Sequence, residues 1–395
     1  MVVRRSQPRA ETAPRRVTIL GSTGSVGGNT IDLVQRQLDT FQVEALTTNC
    51  NIALLADQAR RLGARFAAAA DASCYRDLKK ALSGSGIEAA AGAEAIIEAA
   101  SRPAEWVMAS IVGMAGLEPT MAAAKRGAII GLANKECLVS AGDVLMKEIA
   151  RCGGTLLPVD SEHSAIFQVF DFANPDKVAR IILTASGGPF REMDITAMAR
   201  VTPEQALAHP NWDMGAKISV DCATMMNKGL ELIEARHLFP VPEERIEILV
   251  HPQSVVHSLV DYVDGSVLAQ LGTPDMRAPI SYALGWPKRM PTPAPRLSLA
   301  EIGTLTFEAP NLERFPALRV AREALQAGGG APTIMNAANE VAVESFLSGR
   351  IDFLDIIRIV EQALEAAPEF RLESLSDVIN ADDEARDIAK KLIKY

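Results

Sequence analysis

The sequence predicts an α/β chain in three parts: a parallel-sheet domain at the N-terminus, an α+β domain in the centre and a helical bundle at the C-terminus. Three observations carry this. Up to about residue 159, short apolar runs alternate with helical stretches, the pattern of strands joined by crossover helices. From 160 the alternation breaks down, although strands persist. Beyond 313 only helical periodicity is left, which suits a small bundle.

The elements follow in order. Residues 1–14, "MVVRRSQPRAETAP", are Arg-rich with no apolar stretch, so they read as a disordered tail and not as a secretory signal. "RRVTILGSTGSVGGNTIDLVQRQ" gives an apolar run, a Gly-rich turn and a helix, and "FQVEALTTN" is a second strand. "RFAAAAD", "WVMASIVG", "GAIIGLAN" and "GTLLPVD" are further short runs. This defines a domain over 15–159, Rossmann-like by virtue of its first turn. Over 160–285, "ARIILTASG", "RIEILVHPQS" and "GSVLAQLG" read as strands, interrupted by helices at 203–208 and 222–235. Residues 286–312 contain most of "GWPKRMPTPAPRLS" and read as a Pro-rich linker. Four helical segments with short loops fill 313–395, the second of them "APTIMNAANEVAVESFLSG".

The chain has 395 residues, enough for two or three domains at about 100–200 residues each. Its net charge of −9 argues against a general nucleic-acid binder but leaves room for a local cationic pocket. Its five cysteines are an odd number and form no C-x-x-C pair, which suits a reducing, cytoplasmic location. No apolar run approaches the roughly 18 residues of a membrane span.

Several short segments carry chemistry. "GSTGSVG" places Gly21, Gly24 and Gly27 between a strand and a helix. Glycines there permit a tight turn and close approach of a pyrophosphate to a helix N-terminus; an ordinary strand–helix turn is the plain alternative. The second strand runs into Thr47, Thr48, Asn49, Cys50 and Asn51. An acid at this point would bind the ribose of NAD, and none stands there. No Arg or Lys does either, so NADPH is favoured by default. "LANKE" sets Lys135 at a strand's C-terminal end, the edge where ligands bind in open α/β sheets. In "PVDSEHSA", Asp160 and Glu162 are two apart and point the same way if the segment is extended. Paired carboxylates suit a hard cation such as Mg²⁺ or Mn²⁺; an exposed acidic loop is the alternative. His163 reads as an acid/base or as a hydrogen-bonded core residue. The Ser-Gly-Gly turn of "LTASGGPFRE" offers a hydroxyl and N–H groups to a phosphate; a structural turn is the equal alternative. "HPNWDMGAKIS" places Trp212 and Met214 in a polar loop, as in a lid; a Trp anchoring the loop to a core is the alternative. On "VDCATMMNKGLELIEA", read as one helix, Thr224, Asn227, Lys228 and Glu231 share a face opposite Met225, Met226, Leu230, Leu232 and Ile233.

Taken with "SGGPFRE", "IEAR", "HPQSVVHS", "GTPDMR" and "NAANE", these motifs resemble 1-deoxy-D-xylulose 5-phosphate reductoisomerases, in order, from about residue 17 to the end. The resemblance implies a homodimeric enzyme of non-mevalonate isoprenoid synthesis. Its substrate would be a small phosphorylated sugar, its product 2-C-methyl-D-erythritol 4-phosphate, and its cofactors NADPH with Mg²⁺, Mn²⁺ or Co²⁺. It implies metal ligation by Asp160, Glu162 and Glu231. It places Lys135, Ser161, Glu162, Ser186, His209, Cys222, Asn227, Lys228 and Glu231 on substrate, with Lys135, Glu162, His209 and Glu231 in catalysis. Thr23, Gly24, Ser25, Val26, Asn49, Asn51, Asn134, Glu136 and Gly215 match the cofactor contacts, and Cys50 occupies a further cofactor position.

Two positions depart from the family pattern. Cys222 stands where the relatives carry Ser, and a thiol is a poorer partner for phosphate than a hydroxyl. Cys50 stands where a basic residue is common. The rival enzyme reading is an NADP-dependent semialdehyde dehydrogenase with Cys137 or Cys222 as nucleophile. The rival non-enzyme reading is a nucleotide-sensing protein that binds NADPH without metal.

Overall fold

A computed structural model of the chain describes residues 13–210, 212 and 214–393. The tail expected over 1–14 falls almost wholly outside them. The chain divides into two compact units. The first comprises the residues up to Cys137, Leu145–Ser164 and Asp275–Ala294. The second comprises Leu138–Val144, Ala165–Pro274 and the residues from Pro295 onward.

The first unit is a parallel sheet of seven strands: β1 (Arg15–Leu20), β2 (Phe41–Thr48), β3 (Phe66–Ala69), β4 (Glu88–Ala91), β5 (Trp106–Ala109), β6 (Ile129–Leu132) and β7 (Thr155–Pro158). They lie in the order β4-β3-β2-β1-β5-β6-β7. The central strands are buried on both faces, which is why they read as unbroken apolar runs without alternation. The order reverses between β1 and β5, which creates the crevice where such sheets bind ligands. Helix Arg277–Gly285 packs into this unit, where Trp106 Nε1 donates to Ala283 O at 3.1 Å and Arg15 Nη1 to Leu284 O at 2.6 Å. The Rossmann-like expectation thus holds.

The second unit carries a mixed sheet of β8 (Val178–Ala185), β9 (Ile246–Val250), β10 (Val256–Tyr262) and β11 (Val267–Leu271), in the order β11-β10-β8-β9. The C-terminal helices Ala317–Ala327, Ala331–Leu347, Asp355–Ala366 and Leu375–Ile393 match the four helical segments of the sequence. Helix Ala331–Leu347 is buried almost all round and forms part of the core with Met226, Leu230 and Ile356.

Two local expectations fail. The helix expected over 222–235 is two helices, Ala216–Ala223 and Met226–Leu238. Met225 breaks them, with φ +64° in the left-handed region. Periodicity continues across such a break, so the sequence pattern misses it. Cys222 therefore lies in the last turn of one helix, not at the N-terminus of the next. Asp160 and Glu162 do not share an extended segment either, because Ser161–Val169 is helical. The Asp160 carbonyl accepts from Ser164 N at 2.8 Å, so strand geometry does not relate the two carboxylates.

Candidate active site

In the first unit, the turn after β1 shows why glycine is needed. Gly21 has φ +81°. A Cβ on Gly27 would lie 2.1 Å from Gly21 O, so a side chain there would push the helix off the turn. The turn is tied to the end of β2: Gly21 N donates to Thr47 Oγ1 and Ser22 N to Thr47 O, both at 2.8 Å. Thr23 and Thr48 hydroxyls meet at 2.6 Å, and Ser22 Oγ donates to Gln58 Oε1 at 2.8 Å. Gly24 precedes helix Ser25–Gln35, and among the described residues no side chain caps it. The first N–H groups, at Ser25 and Val26, and the positive end of the helix dipole are thereby open to an anion.

The neighbouring candidates have local work of their own. Asn51 Oδ1 caps helix Ile52–Leu62 by accepting from Leu54 N at 3.3 Å. Cys50 is exposed, beside Asn49 at the end of β2. Asn134 is buried; its amide donates to Gly113 O at 2.9 Å and also to Ile111 O, while its Oδ1 accepts from Cys137 N at 3.2 Å. Asn134 thus clamps the loop after β5. Glu136 opens the helix that follows β6 and is buried. Cys137 is 1% exposed, and its Sγ lies 3.8 Å from Thr120 Oγ1.

Strand topology brings Lys135 and Asp160 together. They follow the C-terminal ends of the neighbouring strands β6 and β7. Lys135 Nζ lies 2.5 Å from Asp160 Oδ2, with both side chains largely buried. His163 is fully buried, its Nδ1 3.8 Å from the same oxygen. Ser161 Oγ donates to Glu162 Oε2. One lysine, two carboxylates, a hydroxyl and an imidazole are gathered within 29 residues of sequence, at the ligand-binding edge of the sheet.

The second unit assembles the other candidates. Ser186, His209 and Trp212 form a relay. Trp212 N donates to His209 Nδ1 at 3.1 Å, and His209 Nε2 lies 2.9 Å from Ser186 Oγ. Burial pushes the His209 pKa below its ordinary value, so the ring is neutral near pH 7. Because Nδ1 accepts, the proton sits on Nε2 and is donated to Ser186 Oγ. Gly188 N also donates to that oxygen, at 3.2 Å. Ser186 Oγ thus accepts twice, which leaves its own hydrogen available for donation. The Trp212 ring centroid is 6.3 Å from that of His257. Met214 is half-buried in the same loop, and Gly215 is the N-cap of helix Ala216–Ala223.

Gly188 has φ +70°, and a Cβ on it would lie 2.5 Å from the Cys222 carbonyl oxygen. The Ser-Gly-Gly turn and the Cys222 segment are therefore packed backbone to backbone. After the Met225 break, Asn227 Nδ2 donates to Glu231 Oε1 at 2.5 Å, and Lys228 Nζ donates to Glu231 Oε2. Lys228 and Glu231 are both buried. The face predicted for Asn227, Lys228 and Glu231 holds, while Thr224 turns back to its own helix and donates to Val220 O at 3.2 Å. His251 is structural: its Nε2 accepts from Val255 N at 3.2 Å, and its ring stacks on Phe307. Sequence reasoning missed two of the residues that hold these groups, Gln58 and Asp221, each a polar residue on the buried face of a helix.

Comparison with known proteins matches three family models in succession: 1-deoxy-D-xylulose 5-phosphate reductoisomerase over residues 17–142, its C-terminal domain over 156–239, and the DXP reductoisomerase C-terminal domain over 271–388. The 1-deoxy-D-xylulose 5-phosphate reductoisomerase of Rhodospirillum centenum is 62% identical over 379 residues, covering 96% of this chain and 94% of its own. That of Zymomonas mobilis is 58% identical, covering 96% of this chain and 98% of its own. A solved structure of the Zymomonas mobilis enzyme in complex with NADPH matches with a TM-score of 0.92 at 56% identity, over 96% of this chain and 99% of that one. A DOX-P reductoisomerase in complex with NADPH, fosmidomycin and magnesium matches with a TM-score of 0.91 at 40% identity, over 96% of this chain and 98% of that one. The chain belongs to the 1-deoxy-D-xylulose 5-phosphate reductoisomerase family.

Proposed function

We infer that this chain catalyses the NADPH- and divalent-metal-dependent rearrangement and reduction of 1-deoxy-D-xylulose 5-phosphate to 2-C-methyl-D-erythritol 4-phosphate, in isoprenoid synthesis. The observation that carries this reading is family membership over nearly the whole chain, including relatives solved with NADPH and with magnesium. The site residues fit both cofactors. The turn Gly21–Gly27 and the open N-terminus of the following helix suit a pyrophosphate, and the absence of an acid at the end of β2 suits a 2′-phosphate. Carboxylate oxygens suit Mg²⁺ or Mn²⁺. Asp160 and Glu231 each accept from a lysine ammonium, which a bound metal ion would displace from the carboxylate oxygen.

The residue roles form part of this proposal. Asp160, Glu162 and Glu231 hold the metal. Thr23, Gly24, Ser25, Val26, Asn49, Cys50, Asn51, Asn134, Glu136 and Gly215 line the cofactor site, with Asn134 acting by shaping the loop it clamps. Ser186, Cys222, Asn227 and Lys228 bind the phosphate, and His209 orients the Ser186 hydroxyl. Ser161 and Lys135 contact the sugar, Lys135 placing positive charge beside the reacting oxygens. Glu162 is placed to accept a proton. When bound, the metal polarises the carbonyl and NADPH supplies the reducing equivalent. Fixing the phosphate lets remote binding energy orient the reacting carbons. Trp212 and Met214 exclude water.

We also read the enzyme as a cytoplasmic homodimer. Five free cysteines support a reducing location. The edge strand β11 supports self-association, since Val267 and Leu268 on it, and Val263 before it, are exposed. The deciding experiment combines protein, NADPH, Mg²⁺ and 1-deoxy-D-xylulose 5-phosphate, and follows nicotinamide absorbance with and without chelator. Oxidation that stops on chelation is expected; no oxidation, or oxidation indifferent to chelator, overturns the reading.

A further inference from the structure

Helix Ala331–Leu347 carries the motif "NAANE", which lies outside the substrate and cofactor contacts assigned above. Thr333, Asn336 and Asn339 on it are each fully buried. Spaced by three, they form one polar stripe on a helix that is otherwise core. Buried polar side chains are costly unless hydrogen-bonded, so their partners reveal what the stripe is for. Thr333 Oγ1 donates to Ser140 O at 2.8 Å, and Asn336 Nδ2 to Ser140 Oγ at 3.3 Å. Asn339 Nδ2 donates to Asp221 Oδ1 at 2.8 Å.

Asp221 is the informative partner. It is 1% exposed and sits in helix Ala216–Ala223, immediately before Cys222. Its second oxygen takes Lys217 Nζ at 2.9 Å, from one turn earlier on the same helix. The Lys217–Asp221 pair lies within that helix, whereas the Asn339 bond ties the helix to the core helix. The next residue on the helix is Cys222, whose carbonyl lies against Gly188 of the Ser186-Gly187-Gly188 turn. The Met225 break and Asn227 come after it.

We propose that Asn339 is a positioning residue for the phosphate contacts: through Asp221 it fixes helix Ala216–Ala223, and so keeps Cys222 and the Ser186–Gly188 turn in register. This rests on the reading above that Ser186, Cys222, Asn227 and Lys228 bind the phosphate. A charge-bearing partner suits the task. A carboxylate with one donor from its own helix and one from the core helix is directional in a way that apolar packing is not.

The test compares Asn339→Ala, Asp221→Asn and the reciprocal exchange Asn339→Asp/Asp221→Asn with the wild type. Ser186→Ala serves as the reference for direct phosphate contact. Asn339→Ala is expected to raise KM for 1-deoxy-D-xylulose 5-phosphate about tenfold, with KM for NADPH and kcat each changing by less than about threefold. The exchange keeps an amide facing a carboxylate and should recover most of the loss; if Asn339→Ala does not fold, the comparison of the exchange with Asp221→Asn carries the test. If Ser186→Ala raises the sugar phosphate KM while a folded Asn339→Ala, or Asp221→Asn, leaves it unchanged, positioning is overturned and the phosphate reading stands. Both KM values rising together with a fall in Tm, and no recovery on exchange, also overturns it. If Ser186→Ala itself leaves that KM unchanged, the phosphate reading fails and the proposal with it.

Discussion

Ser186 Oγ and His209 Nε2 lie 2.9 Å apart, and the direction of that hydrogen bond is set from the far side of the ring, where Trp212 N donates to Nδ1. The serine hydroxyl is thereby turned into a donor. Ser186→Ala should raise KM for the sugar phosphate about tenfold, the worth of one hydrogen bond to a charged group at about 1.5 kcal/mol, and leave NADPH binding alone. Steady-state kinetics with each substrate varied in turn checks this; an unchanged KM removes Ser186 from the phosphate site.

The same relay predicts a pH response. Burial lowers the His209 pKa from 6.5. A depressed imidazole pKa means the unfolded chain binds the proton more readily. The stabilising contribution is therefore complete above the unfolded value and is lost as pH falls through the lower folded value. Protonation at Nδ1 also breaks the Trp212 contact. Trp212 fluorescence should change with a midpoint below 6.5, and His209→Asn should abolish the transition. A midpoint at or above 6.5 contradicts the assignment.

Glu231 accepts from both Asn227 and Lys228. Glu231→Gln keeps the shape but removes the charge, leaving Lys228 buried beside a neutral amide. Metal affinity measured by titration should fall by more than the roughly 10–100-fold that changes to a ligand's supporting groups cost, with kcat falling in parallel. Unaltered metal affinity would exclude Glu231 as a ligand.

Gly188→Ala places a methyl against the Cys222 carbonyl, at a backbone conformation with φ +70°. The expected cost is about 1–3 kcal/mol, seen as a lower Tm, together with a rise in sugar phosphate KM larger than that for NADPH. Equal Tm and KM values would show that the two segments are not in tight register.

Cys222→Ser replaces the thiol with a hydroxyl, a better hydrogen-bond partner for phosphate. It should lower the sugar phosphate KM a few-fold, worth about 1 kcal/mol or less, with kcat little changed. An unchanged KM would place the residue 222 side chain away from the phosphate. Loss of turnover would instead revive Cys222 as a nucleophile.

The legible parts of the fold were those set by local pattern. Apolar runs and the Gly21–Gly27 turn give the parallel sheet because strand period and turn chemistry are written into adjacent residues. Lys135 and Asp160 were legible as strand-end residues, and β6 and β7 being neighbours makes them a pair. The Met225 break was hidden because the apolar spacing of "ATMMNKGLELI" fits an uninterrupted helix equally well. The second role of Asn134, as a clamp, was hidden because its partners lie in a loop more than 20 residues earlier. Asn339 and Asp221 are 118 residues apart, and no local rule links them.

The left-handed residue at 225 also bears on chain length. It joins Cys222, in the last turn of one helix, to Asn227, Lys228 and Glu231 on the next. Each added or deleted residue on a helix rotates the remainder of that helix by roughly 100°. A single insertion between 226 and 227 would swing the lysine and the carboxylate away from the cysteine while leaving every side chain present. A change in residue count here should therefore be more damaging than an exchange of any one residue, because it displaces the lysine and the carboxylate together.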